Sequence, residues 1–220
     1  MKLLKLVILI AYCTLLFSCS PLNHPDIVPQ NATSWDIQFS PGMPPHPSSS
    51  NTWYFDFPND PNYPACVQNN SCASVHYVDT MYSQSVIHTS ITMTFTVTTT
   101  GSVVYNGNLQ TDNTCNVPAS VRLYFQQKGD NLSSDGYRWW SNPVAYQLGS
   151  QDNTTITLSV PVDSVNWTGL YGERDAARMA VAWKNVGRVG MTFGGGCFFG
   201  HGVNISNGTA RFNLTSYEVN

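Results

Sequence analysis

Charge is scarce in this chain. Only 10% of its residues are Asp, Glu, Lys or Arg, against about 25% in a typical soluble domain. Ten Lys and Arg dispersed over 220 residues cannot assemble the basic surface that neutralises phosphates, which excludes nucleic-acid binding of that kind. A coiled coil or helical bundle is excluded too, because its outer faces need Glu, Lys and Arg. Glutamate occurs only at Glu173 and Glu218. Glycoside hydrolysis needs two positioned carboxyl groups, one of them kept protonated, and these two stand in no recognisable setting. Asp130 and Asp135 share a turn-rich stretch and read as solvated turn residues. There is no Gly-x-Ser-x-Gly elbow, no Cys-x-x-Cys pair and no cluster of histidines. The expectation is a non-catalytic protein, with a hydrolase of unrecognised site as an alternative.

The N-terminus is built for export. Lys2 and Lys5 precede an apolar run over residues 6–17, followed by Ser18-Cys19-Ser20. A charged start, a short apolar core and small residues behind it define a signal peptide. The run falls short of the roughly 20 apolar residues of a membrane-spanning helix. Leu16-Phe17-Ser18-Cys19 resembles a bacterial lipobox, which implies cleavage after residue 18, lipidation of Cys19 and contact with a membrane only through that anchor. Ordinary signal-peptide cleavage near Ser20, giving a secreted protein, is the alternative. Cys13 is lost in either case.

The other cysteines are Cys66, Cys72, Cys115 and Cys197. An even number in an exported chain predicts two disulfides. Cys66 with Cys72 would close a small loop and leave Cys115 with Cys197, although three connectivities are open. Asn-x-Ser/Thr sequons stand at Asn31, Asn69, Asn131, Asn153, Asn166, Asn204, Asn207 and Asn213. They are glycosylation sites in a eukaryotic secreted protein and ordinary surface composition in a bacterial one.

Residues 19–50 are rich in Pro, Ser and Asn and read as a tether, interrupted by the alternating segment Trp35-Asp36-Ile37-Gln38-Phe39, where a short strand is expected. The folded domain is expected over residues 51–220. There the apolar pattern has period two. Ile91, Met93, Phe95 and Val97 alternate with threonines, and Val121, Leu123 and Phe125 alternate with Arg122, Tyr124 and Gln126. Residues 155–160 and 210–215 repeat the device, and clusters of Gly, Asn and Asp separate the runs. This predicts an all-β fold, an antiparallel β-sandwich of half-buried strands. One segment, residues 174–183, has Ala176, Met179, Ala180 and Trp183 at helical spacing and is expected to be a short helix.

Two segments are candidates for ligand contact. Tyr137-Arg138-Trp139-Trp140 places aromatic planes beside a cation after a turn. A sugar offers an apolar face and a rim of hydroxyls, so it wants an aromatic plane with donors and acceptors nearby. Trp139 and Trp140 would point to opposite faces of a strand, so at most one lies in the core. The second segment is the glycine-rich stretch 194–202. It lacks the Gly-Lys-Ser/Thr of a P-loop and the βαβ setting of a dinucleotide site. Its glycines are expected to serve positive φ or close backbone approach, and His201 between two of them is a candidate donor to a ligand. Trp53, Phe55 and Phe57 should share a core face, with Tyr54 and Asp56 on the other.

The C-terminal half carries a resemblance. Residues 157–162 lead to Trp167 and a short helix; the run 185–195 and a closing strand over residues 208–217 follow. This order resembles the galactose-binding-like jelly rolls of many carbohydrate-binding modules. The resemblance implies a jelly roll with one or two short helices and carbohydrate as the ligand. The alternative partner is a protein of the cell envelope. It also implies a structural calcium near the first and last strands, for which Asp56, Asp163 and Glu218 are candidate acids. Calcium takes six to eight oxygens, and with no run of acids of the EF-hand type the sequence assigns no ligand set.

Overall fold

A computed structural model of the chain describes residues 26–27, 35–40, 53–60, 65–66, 72–83, 90–107, 118–130, 137–195 and 199–220. Among these residues are fourteen strands and one helix. The smaller sheet runs β1 (Asp26–Ile27), β14 (Thr209–Val219), β5 (Ser90–Thr100) and β10 (Thr155–Pro161), with β3 (Trp53–Asp56) also on β14. The larger sheet runs β11 (Trp167–Thr168), β8 (Arg138–Ser141), β7 (Ser120–Gln127), β12 (Val186–Gly194), β4 (Ser74–Met81), β13 (Val203–Ser206) and β6 (Val104–Gly107). To it are added β2 (Trp35–Ser40) on β4 and β9 (Tyr146–Gln147) on β7. All these strand pairs are antiparallel. The expected all-β sandwich with a short helix is the fold of the chain.

Alternation builds the core. Ile91, Met93, Phe95 and Val97 of β5 are buried. On the other face Thr92 hydrogen-bonds Ser159 at 2.8 Å and Thr94 bonds Thr157 at 3.2 Å, so the polar side is satisfied at the surface. Trp53, Phe55 and Phe57 are buried as the sequence predicts. In β14 the register with β5 shifts between Leu214 and Ser216. That bulge re-phases the strand, so that Ala210, Phe212 and Leu214 before it and Tyr217 and Val219 after it all face inward. Phe212 is the hub: its ring lies 4.8 Å from Phe95, 5.3 Å from Phe55 and, edge-on, 5.5 Å from Phe193 of the facing sheet.

The helix, α1 (Ala176–Lys184), starts where Asp175 accepts from the backbone N–H groups of Ala177 and Arg178. Its buried side is Met179 and Ala182, with Trp183 packed against the core. Ala176 and Ala180, expected on that side, are exposed. None of the described helices is long and apolar enough to cross a membrane.

The folded part reaches back beyond Asn51, where the sequence places its start. Within the stretch read as a tether, β1 pairs with the end of β14 and β2 with β4. Trp35 is buried, with its ring 5.3 Å from Trp53 and 5.4 Å from Tyr217. Composition marks this stretch as unable to form its own core, but a strand that borrows an existing core needs only one or two apolar side chains. The signal segment and Cys19 lie outside the described residues. So do Cys115 and Cys197. Cys66 and Cys72 form the expected disulfide.

Candidate functional site

Strand β7 departs from the half-buried pattern. Val121, Leu123 and Phe125 face the core, yet Arg122, Tyr124 and Gln126 on the opposite face are buried as well. The same holds for β8, where all four side chains are buried, and for Gly190 and Thr192 of β12. The larger sheet is therefore covered on both sides. Its second, outer face is polar and aromatic, and it gathers several of the residues singled out in the sequence.

Register fixes the rows of this face. Thr192 stands between Tyr77 on β4 and Arg122 on β7. Gly190 stands between Asp79 and Tyr124, and Tyr124 is opposite Trp140 on β8. Gln126 is opposite Arg138. The rings of Tyr77 and Tyr124 are 5.3 Å apart and those of Tyr124 and Trp140 5.6 Å. The sequence-derived candidates separate accordingly. Trp139 belongs to the core, stacked on Phe125. Arg138 and Trp140 belong to the outer face. Tyr137 lies at the start of β8 and keeps about a third of its surface in water, 36%. Only 3% of Trp140 is exposed, so no tryptophan of this segment offers an open ring face to solvent. The open platform that the sequence suggested is corrected to a covered one.

The cover comes in part from the turn at residues 199–202. Phe199 lies 4.1 Å from the Arg122 guanidinium carbon, in cation–π geometry, and 6.5 Å from the Trp140 ring. Gly200 passes so close to the Tyr77 hydroxyl that a Cβ would collide with it. Gly202 has φ +101°, and a Cβ there would fall 2.8 Å from His76 Nε2. Both glycines are thus required, one for close approach and one also for a left-handed backbone. The turn is tied down by Gly202 N–H donating to the Phe193 carbonyl at 3.0 Å. His76 Nδ1 also lies 3.1 Å from the Gly200 carbonyl.

His76 Nε2 lies 2.9 Å from Ser74 Oγ. A serine within reach of an oriented imidazole is the arrangement of an activated nucleophile. Sequence reasoning missed this pair, since Ser-x-His, whose two side chains share a face on any strand, is too short a signal. The register of β2 with β4 skips His76 at this point. Ser74 is fully buried, and the group orienting His76 is a backbone carbonyl rather than a carboxylate. The pair as it stands fastens the 199–202 turn to β4. Burial holds both His76 and His201 below the ordinary imidazole value. His201 itself is half-buried on this turn.

Two of the three arginines on this face are neutralised. Arg188 pairs with Asp36 and, at 2.6 Å, with Asp79. Burial raises the Asp79 carboxyl, and Arg188 works against that rise. Arg138 Nε is 3.2 Å from Asp130, whose carboxylate also accepts from Gln126 at 2.9 Å. Gln126 in turn accepts from the Tyr124 hydroxyl at 3.0 Å. Burial pushes the Tyr77 and Tyr124 hydroxyls up, so both stay protonated donors.

Arg122 differs. Its Nη1 donates to the Ser141 carbonyl at 2.8 Å, and its Nε is buried with no partner. Desolvation alone drives its pKa down to about 10; no acid counters it. Trp140 Nε1 and Thr192 Oγ1, on the same face, are likewise buried and unpartnered.

The acids considered for calcium do not assemble. Asp56 is held by Arg211 across β3 and β14 at 2.7 Å. Asp163 caps its own turn through Val165 and Asn166, and Glu218 stands at the far end of β14. Among the described residues the one compact group of possible ligand atoms is Asp60 with Cys66 and Cys72. Those two sulfurs are spent on each other. A concavity of about 420 Å³ lies beside Asp56, Asn59, Thr98 and Arg211. Its charged groups are matched to one another.

Comparison with protein-family models finds none that matches this chain, and comparison with curated proteins finds no match either.

Proposed function

We propose that the chain is an exported or surface-anchored binding module without catalytic activity, and that it recognises carbohydrate on the outer face of the nine-stranded sheet. The observation that carries this reading is the meeting of the Tyr77, Tyr124, Trp140 and Phe199 rings with the guanidinium of Arg122 and the network of Arg138 and Gln126 on one face. Sugars are bound by such mixtures of aromatic planes and planar polar groups. The resemblance of the C-terminal half to galactose-binding-like jelly rolls supports the same ligand class, and the export signal agrees with a ligand outside the cytoplasm. The test is glycan-array binding by the full chain beside a Trp140→Ala variant with an unchanged circular dichroism spectrum. Binding that the variant loses supports the proposal, and a silent array for the unmodified chain refutes it.

A second reading rests on a different observation. Val165 is exposed between β10 and β11, Leu170 and Tyr171 are exposed between β11 and α1, and Arg174 reaches back to the Val165 carbonyl. Exposed apolar side chains on adjacent connections are the kind of feature that marks a protein contact. In this reading the chain is an interaction lipoprotein of the envelope. A photocrosslinker at Tyr171 that captures one defined envelope protein, while a crosslinker at Val104 does not, would favour it.

A further inference from the structure

Resting on the outer-face reading above, we infer that the site under Phe199 takes a carboxylate, held by Arg122. Protein interiors leave an arginine without a counter-charge only at a cost, because desolvating the cation is not repaid. Here the contrast lies within one face: Arg138 has Asp130, Arg188 has Asp79 and Asp36, and Arg122 has no carboxylate among the described residues. Its surroundings also fix which edge of the guanidinium is used. Phe199 presents its ring to the guanidinium carbon, the Ser141 carbonyl takes Nη1, and Nε has no acceptor. A carboxylate meeting the Nε edge side-on would supply the missing charge in the two-pronged geometry that guanidinium favours.

The other unpartnered atoms fit the same ligand. Thr192 is directly opposite Arg122 in the β7–β12 register, and its hydroxyl has no partner. The Trp140 indole, whose ring centre is 6.5 Å from that of Phe199, also has an N–H that lacks an acceptor. Both can donate. An anion with several oxygens would therefore offer acceptors to Arg122 Nε and to the neighbouring Thr192 hydroxyl, with the Trp140 indole N–H as a further donor on the same face. A neutral sugar would satisfy the hydroxyl and the indole but leave the guanidinium charge unmatched. The ligand chemistry is a carboxylate, carried either by a sugar acid or by a small free organic acid. Because Nε is sealed in the present arrangement, entry displaces the 199–202 turn. The described ties of that turn are the Gly202–Phe193 and His76–Gly200 hydrogen bonds and the Phe199 contact.

The experiment is a nitrogen–proton NMR titration of the full chain, following the Trp140 indole and Arg122 Nε–H signals. The probes are glucuronate, acetate and glucose at equal ionic strength, with Arg122→Lys and Arg122→Met variants alongside. The expected result is that glucuronate moves both signals saturably, glucose does not, and each variant weakens glucuronate at least tenfold. A response to acetate equal to that of glucuronate assigns the site to a free carboxylate. A response to glucuronate alone assigns it to a sugar acid. Glucose and glucuronate binding equally, with no loss in Arg122→Met, overturns the inference and leaves the carbohydrate reading standing. No response to any carboxylate overturns the inference, and the glycan array then decides the carbohydrate reading on its own.

Discussion

The guanidinium carbon of Arg122 lies over the Phe199 ring, 4.1 Å from its centre. This contact brings the glycine-rich turn onto the outer face of β7. Its energetics follow from the difference between a paired and an unpaired buried cation.

Replacing Arg122 by Met removes a buried charge that has no counter-ion. The fold should be unchanged or gain up to about 3 kcal/mol, since apolar replacement of poorly compensated buried charge is neutral to stabilising. Replacing Arg138 by Met strands the buried Asp130 carboxylate and should cost about 3–5 kcal/mol. Urea denaturation of the two variants, side by side, measures both. A large loss in Arg122→Met would contradict the picture of an unmatched cation.

Phe212 touches rings of both sheets. Phe212→Ala opens a cavity at the junction and should destabilise the protein by about 3–5 kcal/mol. Thermal unfolding followed by near-ultraviolet circular dichroism reads the change, because the same aromatic cluster gives the signal.

The Cys66–Cys72 bridge spans a sequence separation of six. A loop that short restrains little of the unfolded chain, and the double Cys66→Ala, Cys72→Ala variant should lose about 2 kcal/mol. Loss of all structure on removing this bridge would mean that it organises more than its own loop.

Stability should fall with acidification below about pH 6.5, the ordinary imidazole value. His76 and His201 both titrate lower in the fold than in the unfolded chain, chiefly through burial. In that window the unfolded state binds more protons, so stability rises with pH there and is lost as pH falls through the folded values. His76→Gln should flatten the dependence of the urea midpoint between pH 7.5 and 5.5. Asp79, raised by burial, works in the opposite sense at lower pH, so the difference between variant and parent carries the test. An identical slope in the two proteins would show that His76 takes no part.

Much of the sandwich can be read from alternation. The threonine-flanked run of β5 and the aromatic run of β3 each declare one buried face, and the structure buries those faces. Alternation could not reveal that Arg122, Tyr124 and Gln126 are buried too. Polar residues at every second position signal solvent unless something else covers them, and the cover is remote: His76 and the Gly200 carbonyl it meets are 124 residues apart. Trp139 and Trp140 illustrate the same limit. Their opposite orientation follows from strand geometry, but whether either meets water depends on what packs above each face. In the N-terminal stretch, Pro and Ser argued for a tether, and the contribution of Trp35 to the core became visible only once β4 existed as its partner.

By itself, the sequence determined the class of the protein. Period-two apolar runs set by backbone pleating, turns of Gly and Asn, low charge and a pair of close cysteines lead to an all-β sandwich with its Cys66–Cys72 bridge, because each of these signals is local. Tertiary structure alone decided where chemistry is possible. It placed Arg122 beneath Phe199 with no acid beside it among the described residues, gave Arg138 and Arg188 their partners, and enclosed Ser74 with His76. Charge compensation is a property of neighbours in space, and those neighbours come from strands and turns far apart along the chain.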